Sequence, residues 1–515
     1  MLTSDRGKFS SRSFWRWNCM SMITVDHLSF SYESIDDPLF ADVSFVLDTS
    51  WKCGLIGKNG AGKTTLLKLL DGSLDTNGMV HVPVPLKCFP FPVADPTLMT
   101  IDILTDACDT RSWQIEKECM QIGLRSDVLW QPFETLSPGE QVRAMLAALF
   151  ADPKTFVFLD EPGNHLDVQG KALLASYLKT KHGFLVVSHD RHLLDECVDH
   201  ILFIQNGQIE IRKGNYTSWH IDYENQLAKD RQENEQLRRE IKRLEASART
   251  SSQWSNAKEK EKIGAADKGF VGHKAAKLMK RSKSIEARKQ KAIERKRGLV
   301  KNMEEQESLA IHSIPYKKDE LVRFEEVFVK YENWSGMPQS FSICSGQHIL
   351  LSGPNGSGKS SLLKALMNRI SYEGKIFASS GLVISYVGQT CESVHGTIDE
   401  YIGQYAIDRT MFMTILRKLG FSRTELFHSL EQLSSGQRRK IMLARSLCEP
   451  AHLFVWDEPL NDLDIEAREQ LEEMLVSGNY TMLFVEHDQT FCEKIATEQI
   501  QFGENGSHLK NDVLN

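Results

Sequence analysis

Long apolar runs are missing from this sequence. The longest, Ala144–Ala151, is eight residues, against the ~18–20 that a membrane-spanning helix needs. No transmembrane helix is expected, and the chain by itself is not a pore. Paired cysteines are missing too. Ten are present, none in a C-x-x-C arrangement, a usage that reads as reduced thiols in a cytosolic protein. The first 19 residues are rich in Ser, Arg and Trp but have no apolar core, so they are not a secretory signal. A hydrophobic strand pattern starts only after Met20-Ser21-Met22, so translation is expected to begin at Met20 or Met22, with residues 1–21 an extension. Glycine and proline are modest at 33 and 15 of 515 residues, with 41% hydrophobic and 25% charged. That excludes a collagen-like, disordered or small disulfide-stapled chain. The length implies two to four domains at ~100–200 residues each.

The net charge of −7 conceals segregation. Ser255–Lys301 holds 16 Lys+Arg and 5 Asp+Glu, or +11 in 47 residues, which leaves −18 for the remainder. One segment is built to meet a polyanion and the body is not.

The chain is internally repeated. Gly57-Lys-Asn-Gly-Ala-Gly-Lys-Thr64 returns as Gly353-Pro-Asn-Gly-Ser-Gly-Lys-Ser360, and Leu136-Ser-Pro-Gly-Glu140 as Leu433-Ser-Ser-Gly-Gln437. Phe158-Leu-Asp-Glu-Pro162 returns as Val455-Trp-Asp-Glu-Pro459, and Val187-Ser-His-Asp190 as Val485-Glu-His-Asp488. Four motifs in one order, offset by 296 to 298 residues, make two copies of one domain. The expected boundaries are 22–214 and 321–515, the second with a short tail, around a linker at 215–320.

Within the linker, Leu227, Leu237, Ile241 and Leu244 fall at helical spacing, and Leu278, Ile285, Ala292 and Leu299 at sevens. Between them Arg249–Gly272 carries Ser251-Ser252, Gly264, Gly269 and Gly272 and reads as a loop. The expectation is an antiparallel helical hairpin. The alternative is an extended basic linker.

G-x-x-x-x-G-K-[ST] is the phosphate-binding P-loop. Its glycines let backbone N–H groups curl around the β- and γ-phosphates at a helix N-terminus, its lysine neutralises charge, and its hydroxyl holds Mg2+. The candidate nucleotide-binding residues are Gly57, Asn59, Gly60, Gly62, Lys63, Thr64 and Thr65, and again Gly353, Asn355, Gly356, Gly358, Lys359, Ser360 and Ser361. The expected cofactors are ATP and Mg2+, with Thr64 and Ser360 as metal ligands. An apolar strand leads into each loop, and Leu-rich helices follow, so the fold class is α/β.

Two further strands, Thr155–Leu159 and Leu453–Trp456, end in Asp160-Glu161 and Asp457-Glu458. Buried runs ending in carboxylates place charge at the C-terminal edge of a parallel sheet, where ligands of such folds sit. Asp160 and Asp457 would hold Mg2+ through water, and Glu161 and Glu458 would polarise the attacking water. Alone, such a pair also suits a solvated strand end; its fixed distance from a P-loop favours the functional reading.

Twenty-three residues before each aspartate stand Ser137-Pro-Gly139 and Ser434-Ser-Gly436, at the head of a helix. The serines can donate a hydroxyl and the glycines a close backbone N–H. With these signature motifs the chain resembles the ATP-binding-cassette proteins. The resemblance implies two ABC-type P-loop domains paired head to tail, each ATP lying between one P-loop and the other signature. One site would then use Lys63, Asp160, Glu161 and His189 with Ser434 and Gly436. The other would use Lys359, Asp457, Glu458 and His487 with Ser137 and Gly139. His189 and His487 look like the family's switch histidine, which contacts the γ-phosphate, and Tyr32 and Tyr331 are placed to stack on adenine.

Three departures distinguish the copies. Gln389 matches the family's Q-loop glutamine, a ligand and coupling residue at the metal, whereas the first copy has Phe89-Pro-Phe-Pro92 there. The first signature contains Pro138 and ends in Glu140, and Gly163 stands where soluble members have Thr. Unequal hydrolysis at the two sites is expected.

Paired cassettes on one chain, joined by a basic linker, are similar to the ABC-F family of translation factors. That resemblance implies a cytoplasmic monomer whose cassettes pair intramolecularly at the ribosomal E site, its linker reaching toward 23S rRNA, the P-site tRNA and the peptidyl-transferase centre. The arm insertion of housekeeping members is absent, since Lys63 to Ser137 is 74 residues and Lys359 to Ser434 is 75. Asp48–Lys52, Trp130–Phe133, Lys280–Lys283, Trp456–Asn461 and Glu486–Thr490 resemble the Lsa-type resistance branch, which implies protection against lincosamides, streptogramin A and pleuromutilins. Trp254, Phe270 and His273 near the hairpin tip add stacking groups for RNA. Two rivals stay open: the energy module of a separate transporter, and a DNA-associated housekeeping ATPase.

Overall fold

A computed structural model describes residues 21–32, 38–164, 166–261, 311–331, 334–421, 426, 429–476 and 478–503, without the side chains of 247–261 and 334–335. The chain divides into two compact units. One is formed by the chain up to Thr217 together with the chain from Ser308, and the other is Ser218–Glu307.

In the first unit each cassette is built on a mainly parallel sheet. The strands that position chemistry in the first cassette are β1 (Lys52–Gly57), β2 (Phe156–Asp160) and β3 (Phe184–Val187). Their interiors are buried on both faces, which explains the unbroken apolar runs. In register, Leu55 and Asp160 both pair with Val187. The P-loop, the Asp160-Glu161 pair and His189 therefore emerge along one sheet edge. The second cassette repeats this with β4 (His348–Ser352), β5 (Leu453–Asp457) and β6 (Met482–Val485), where Leu351 and Asp457 both pair with Val485. An antiparallel three-stranded sheet accompanies each, with Met22–Phe30 and Glu320–Phe328 as central strands. Ile23, Val25 and Leu28 pack there with Leu55, Leu66 and Leu202, and Val322 and Phe324 with Leu351, Leu363 and Val485.

Eight helices carry the remaining groups of the site. The P-loop helices are α1 (Lys63–Leu70) and, in the second cassette, α6 (Lys359–Leu366). The signature helices are α2 (Pro138–Phe150) and α7 (Ser435–Cys448). In the first cassette α3 (Val168–Thr180) follows the Asp160-Glu161 strand and α4 (Arg191–Cys197) follows His189; α8 (Ile465–Val476) and α9 (Gln489–Ile495) are their counterparts. Ser137 and Ser434 cap their helices with reciprocal bonds to Glu140 and Gln437, so the signature sequence is at once a capping box.

The linker begins as one helix, α5 (Tyr216–Glu261), of 46 residues. This corrects the expected loop over its first part: Arg249–Glu261 is helical. Ser251-Ser252 does not break the helix, because Ala, Gln, Lys and Glu around it are strong helix formers and outweigh two mildly unfavourable serines. The rest of the proposed hairpin, with Phe270 and His273, the side chain of Trp254, the N-terminal extension, His165 and the C-terminal tail, lies outside the described residues. No helix among the described residues is long and apolar enough to cross a membrane.

Candidate nucleotide sites

Each P-loop closes on itself around its lysine. Lys63 Nζ donates to the carbonyls of Gly57 (2.8 Å) and Lys58 (3.1 Å), and Lys359 Nζ to those of Gly353 and Pro354, both 2.8 Å. Burial pushes both ammonium groups below their ordinary range, opposed by the nearby Glu161 and Glu458 carboxylates. A phosphate group is the natural anionic partner for such a desolvated cation. Gly353 has φ 144°, and a Cβ there would come 2.2 Å from the Phe502 carbonyl, so no other residue fits the turn.

The proposed metal ligands are adjacent. Thr64 Oγ1 donates to Asp160 Oδ2 and Ser360 Oγ to Asp457 Oδ1, each at 2.9 Å. Among the described residues, Asp457 Oδ2 is buried without a hydrogen-bond partner, and burial pushes this carboxyl up to about 6, against the Ser360 bond that lowers it. A buried, underbonded carboxylate beside a hydroxyl suits a hard cation. No cluster of three or more His, Cys, Asp or Glu among the described residues could hold a metal alone, so Mg2+ here would share its ligands with phosphate, as it commonly does.

Glu161 and Glu458 follow these aspartates, both at φ 50°. Left-handed backbone at a non-glycine residue costs about 1–3 kcal/mol and is sustained at functional positions. Burial raises the Glu161 carboxyl to about 7, with Arg468 and Lys63 opposing. His189 Nε2 lies 3.3 Å from Glu161 Oε1, and His487 Nε2 3.9 Å from Glu458 Oε1. Burial, reinforced by Lys63 and Arg468, holds His189 well below its ordinary value; burial, reinforced by Lys359, lowers His487 to about 4. Both imidazoles are neutral at pH 7. In the second cassette Glu458 Oε2 also accepts from Gln389 Nε2 (3.0 Å) and Asn461 Nδ2 (2.5 Å). Gln389 is thus tied to the candidate base, while no glutamine occupies the first cassette's Phe89–Pro92 stretch. Tyr32 and Tyr331 reach the P-loop helices through their hydroxyls, bonding Thr65 (2.9 Å) and Ser361 (3.2 Å), and both rings are partly exposed.

The two signatures meet the opposite P-loops differently. A cleft of about 830 Å3 is lined by Ser137, Pro138 and Gly139 of the first cassette and by Asn355–Ser361, Gln389, Glu458, His487 and Tyr331 of the second. At the other pairing the first P-loop sits against the second cassette: Asn59 N–H donates to Asp464 Oδ2 (2.9 Å), and Asn59 Nδ2 to the Asp462 carbonyl (2.8 Å). A Cβ on Gly436 would lie 2.5 Å from that carbonyl and 3.0 Å from Asn59 Nδ2, so the signature glycine permits the approach. Asn59, expected at the nucleotide, is therefore engaged with the facing cassette. Ser137 Oγ donates to Glu140 Oε2 at 2.6 Å, which gives the first signature a carboxylate where the second has Gln437.

Residues that the motif reading passed over knit this interface. Asp464 binds Lys440 Nζ (3.1 Å) and the Ala467 N–H as well as Asn59. Burial would raise its carboxyl, but Lys440 and the two N–H donors outweigh that and hold it at about 2. Arg468 Nη1 donates to the His189 carbonyl and to Asp488 Oδ2. Arg191 of α4 pairs with Glu472 and lies 3.7 Å from Asp488 and 3.9 Å from Glu469. The one available signal was the repeat itself: Glu469 and Glu472 stand where the first copy has Ala172 and Ala175.

This geometry, two P-loops each facing a signature across one chain, defines tandem ABC-type nucleotide-binding domains, and the protein is an ATP-hydrolysing enzyme of that class. The profile of the family described as "ABC transporter" matches residues 40–164 and again 337–461. Over 494 residues the chain is 29% identical to the ribosome protection protein VmlR of Bacillus subtilis (strain 168), covering 94% of this chain and 87% of that one. It is also 29% identical over 475 residues to the erythromycin resistance ATP-binding protein MsrA of Staphylococcus epidermidis, covering 87% and 91%. In fold it is like the archaeal ribosome recycling factor aABCE1 solved with stalk protein aP1, at TM-score 0.62 and 18% identity over 93% of this chain and 88% of that one.

Proposed function

We propose that the chain is an ABC-F protein that binds the ribosome with ATP and protects the peptidyl-transferase centre against antibiotics of the lincosamide, streptogramin A and pleuromutilin classes. The observation that carries this reading is that similarity to a ribosome protection protein runs over 94% of the chain, so that it takes in the segment between the cassettes. That segment's +11 over Ser255–Lys301 gives a polyanion something to meet. The protein would act in the cytoplasm as a monomer, cassettes at 22–214 and 321–515, at the E site, with its linker near 23S rRNA and the P-site tRNA.

At each site the lysine and the P-loop N–H groups bind the β- and γ-phosphates. Mg2+, held by Thr64 with Asp160 and by Ser360 with Asp457 and Gln389, would screen phosphate charge. Glu161 and Glu458 orient the attacking water and accept its proton. Neutral His189 and His487 donate to the γ-phosphate, and Ser434 with Gly436, or Ser137 with Gly139, complete the cradle from the opposite cassette. Tyr32 and Tyr331 offer ring faces to adenine.

Ribosome cosedimentation with and without nuclease, alongside a drug-susceptibility panel in a sensitive host, tests the reading. ATP-dependent, nuclease-sensitive cosedimentation with raised resistance supports it. Cosedimentation without resistance returns the protein to a housekeeping role, and no cosedimentation refutes ribosome binding.

A further inference from the structure

The second signature helix reaches both sites. Its N-terminal end, Ser434–Gly436, faces the first P-loop at Asn59. One turn on, Arg439 of the same α7 is 2% exposed. Its Nη1 donates to the Gly388 carbonyl and its Nη2 to the Gln389 carbonyl (2.8 Å), so the guanidinium grips the backbone of the loop whose side chain holds Glu458. Two turns further, Arg445 Nη2 donates to the Tyr386 carbonyl, on the strand Ile384–Val387 that leads into that loop. A planar fork on two successive carbonyls fixes position and orientation together.

The first cassette has none of this. At the offset of 297 the two arginines become Val142 and Ala148. The neighbouring Arg143 turns to the carbonyls of Gly139 (3.2 Å) and Gly123 (3.3 Å), and the facing loop, Phe89–Pro92, carries no glutamine. The connection therefore runs one way.

We propose that Arg439 is a positioning residue that makes hydrolysis at the second site answer to nucleotide engagement at the first. When Ser434 and Gly436 close on the nucleotide held by Lys63, α7 is fixed, and Arg439 carries that fixation to Gln389 and so to Glu458. Loosening α7 leaves Glu458 with a mobile partner and slows the second site. The reverse path is missing, because Val142 offers the first cassette's loop no donor. The proposal rests on the assignment of Glu161 and Glu458 as the two hydrolytic carboxylates.

Full-length protein is used in two backgrounds, Glu161→Gln, which leaves the second site to turn over, and Glu458→Gln, which leaves the first. Arg439→Gln should lower kcat about tenfold in the first background with little change in KM, and by less than about twofold in the second, the scale of a misplaced catalytic group. Arg439→Lys, which keeps charge and donors, should restore part of the loss. Ser434→Ala, though it lies at the first site, should also slow the second, and its effect should shrink once Arg439 is Gln, as coupled residues do. Because Arg439 is buried, Gln389→Ala gives an independent reading: it should be non-additive with either Arg439 variant. Equal loss at both sites would make Arg439 a packing residue, and unchanged second-site turnover, or full additivity with Ser434→Ala, would remove the coupling. If Glu458→Gln left the second site active, the failure would be that of the underlying site assignment.

Discussion

Arg468 of the second cassette donates from Nη1 to the backbone carbonyl of His189 in the first, at 3.0 Å, and from the same nitrogen to Asp488 at 3.1 Å. The loop carrying one cassette's histidine is thereby held by a cation of the other. At the equivalent position Lys171 pairs with Asp190 of its own cassette at 3.2 Å.

That difference sets the first prediction. Arg468→Met leaves Asp488 short of a buried partner and unties the His189 loop, which should cost about 3–5 kcal/mol. Lys171→Met should cost less, because that pair is nearer solvent and crosses no interface. Urea midpoints of the two variants make the comparison, and equal midpoints would show that the cross-cassette bond is inconsequential.

Changing both Glu161 and Glu458 to Gln keeps size and hydrogen bonding but removes the proton acceptor. ATP should then bind without turnover, and the protein should stay on ribosomes and inhibit growth. Steady-state phosphate release and cosedimentation report the two effects, and wild-type turnover in the double variant would defeat the assignment.

Asp464 yields a pH prediction with a definite sign. Its folded-state value of about 2 lies below the ordinary carboxylate value of about 3.9. The stabilisation is therefore complete above about pH 4 and is lost as pH falls through about 2. Asp464→Asn should lower stability at neutral pH and flatten its decline over that acid window. Thermal midpoints recorded from pH 2 to 7 decide it, and parallel profiles for wild type and variant would count against the ion pair with Lys440.

ATP chemistry and drug protection should separate in the linker. Replacing Lys260–Gly272 with a short Gly/Ser turn should preserve ATP hydrolysis and abolish protection, measured as inhibitory concentration in a sensitive host. Reversing the charges of Lys277, Lys280, Arg281 and Lys283 should instead weaken ribosome binding and make its loss with salt less steep, because fewer counterions are released. Full protection by the replaced linker would reduce that segment to a tether.

What was legible in the sequence followed from locality. The P-loops, the Asp-Glu strand ends, the signatures and the histidines are short motifs whose chemistry and spacing travel together, and the repeat read each of them twice. The docking residues are not local. Glu472, in Ile465-Glu-Ala-Arg-Glu-Gln-Leu-Glu-Glu473, reads as one more charge on a solvated helix, yet it is 3% exposed because Arg191, nearly three hundred residues earlier, meets it. Arg439 likewise follows Gln437 as an ordinary basic residue until the backbone it grips is seen. The helical stretch Arg249–Glu261 was missed for the opposite reason: two serines suggested a break that their neighbours' helix propensity overrides.

The clasp around Arg191 also decides which halves can associate. Its three carboxylates, Glu469, Glu472 and Asp488, all come from the second cassette. Two copies of the first cassette would set Arg191 against Ala172, Ala175 and an Asp190 already occupied by Lys171, burying a cation with too few counter-charges. Two copies of the second would set Glu469 and Glu472 against Gln489 in place of the arginine, leaving Lys494 of the same cassette as the cation on Glu472. Like halves are penalised both ways and unlike halves are not, so the interface encodes heterodimeric recognition within a single polypeptide. A gene split between the cassettes would yield two products that find each other in preference to themselves.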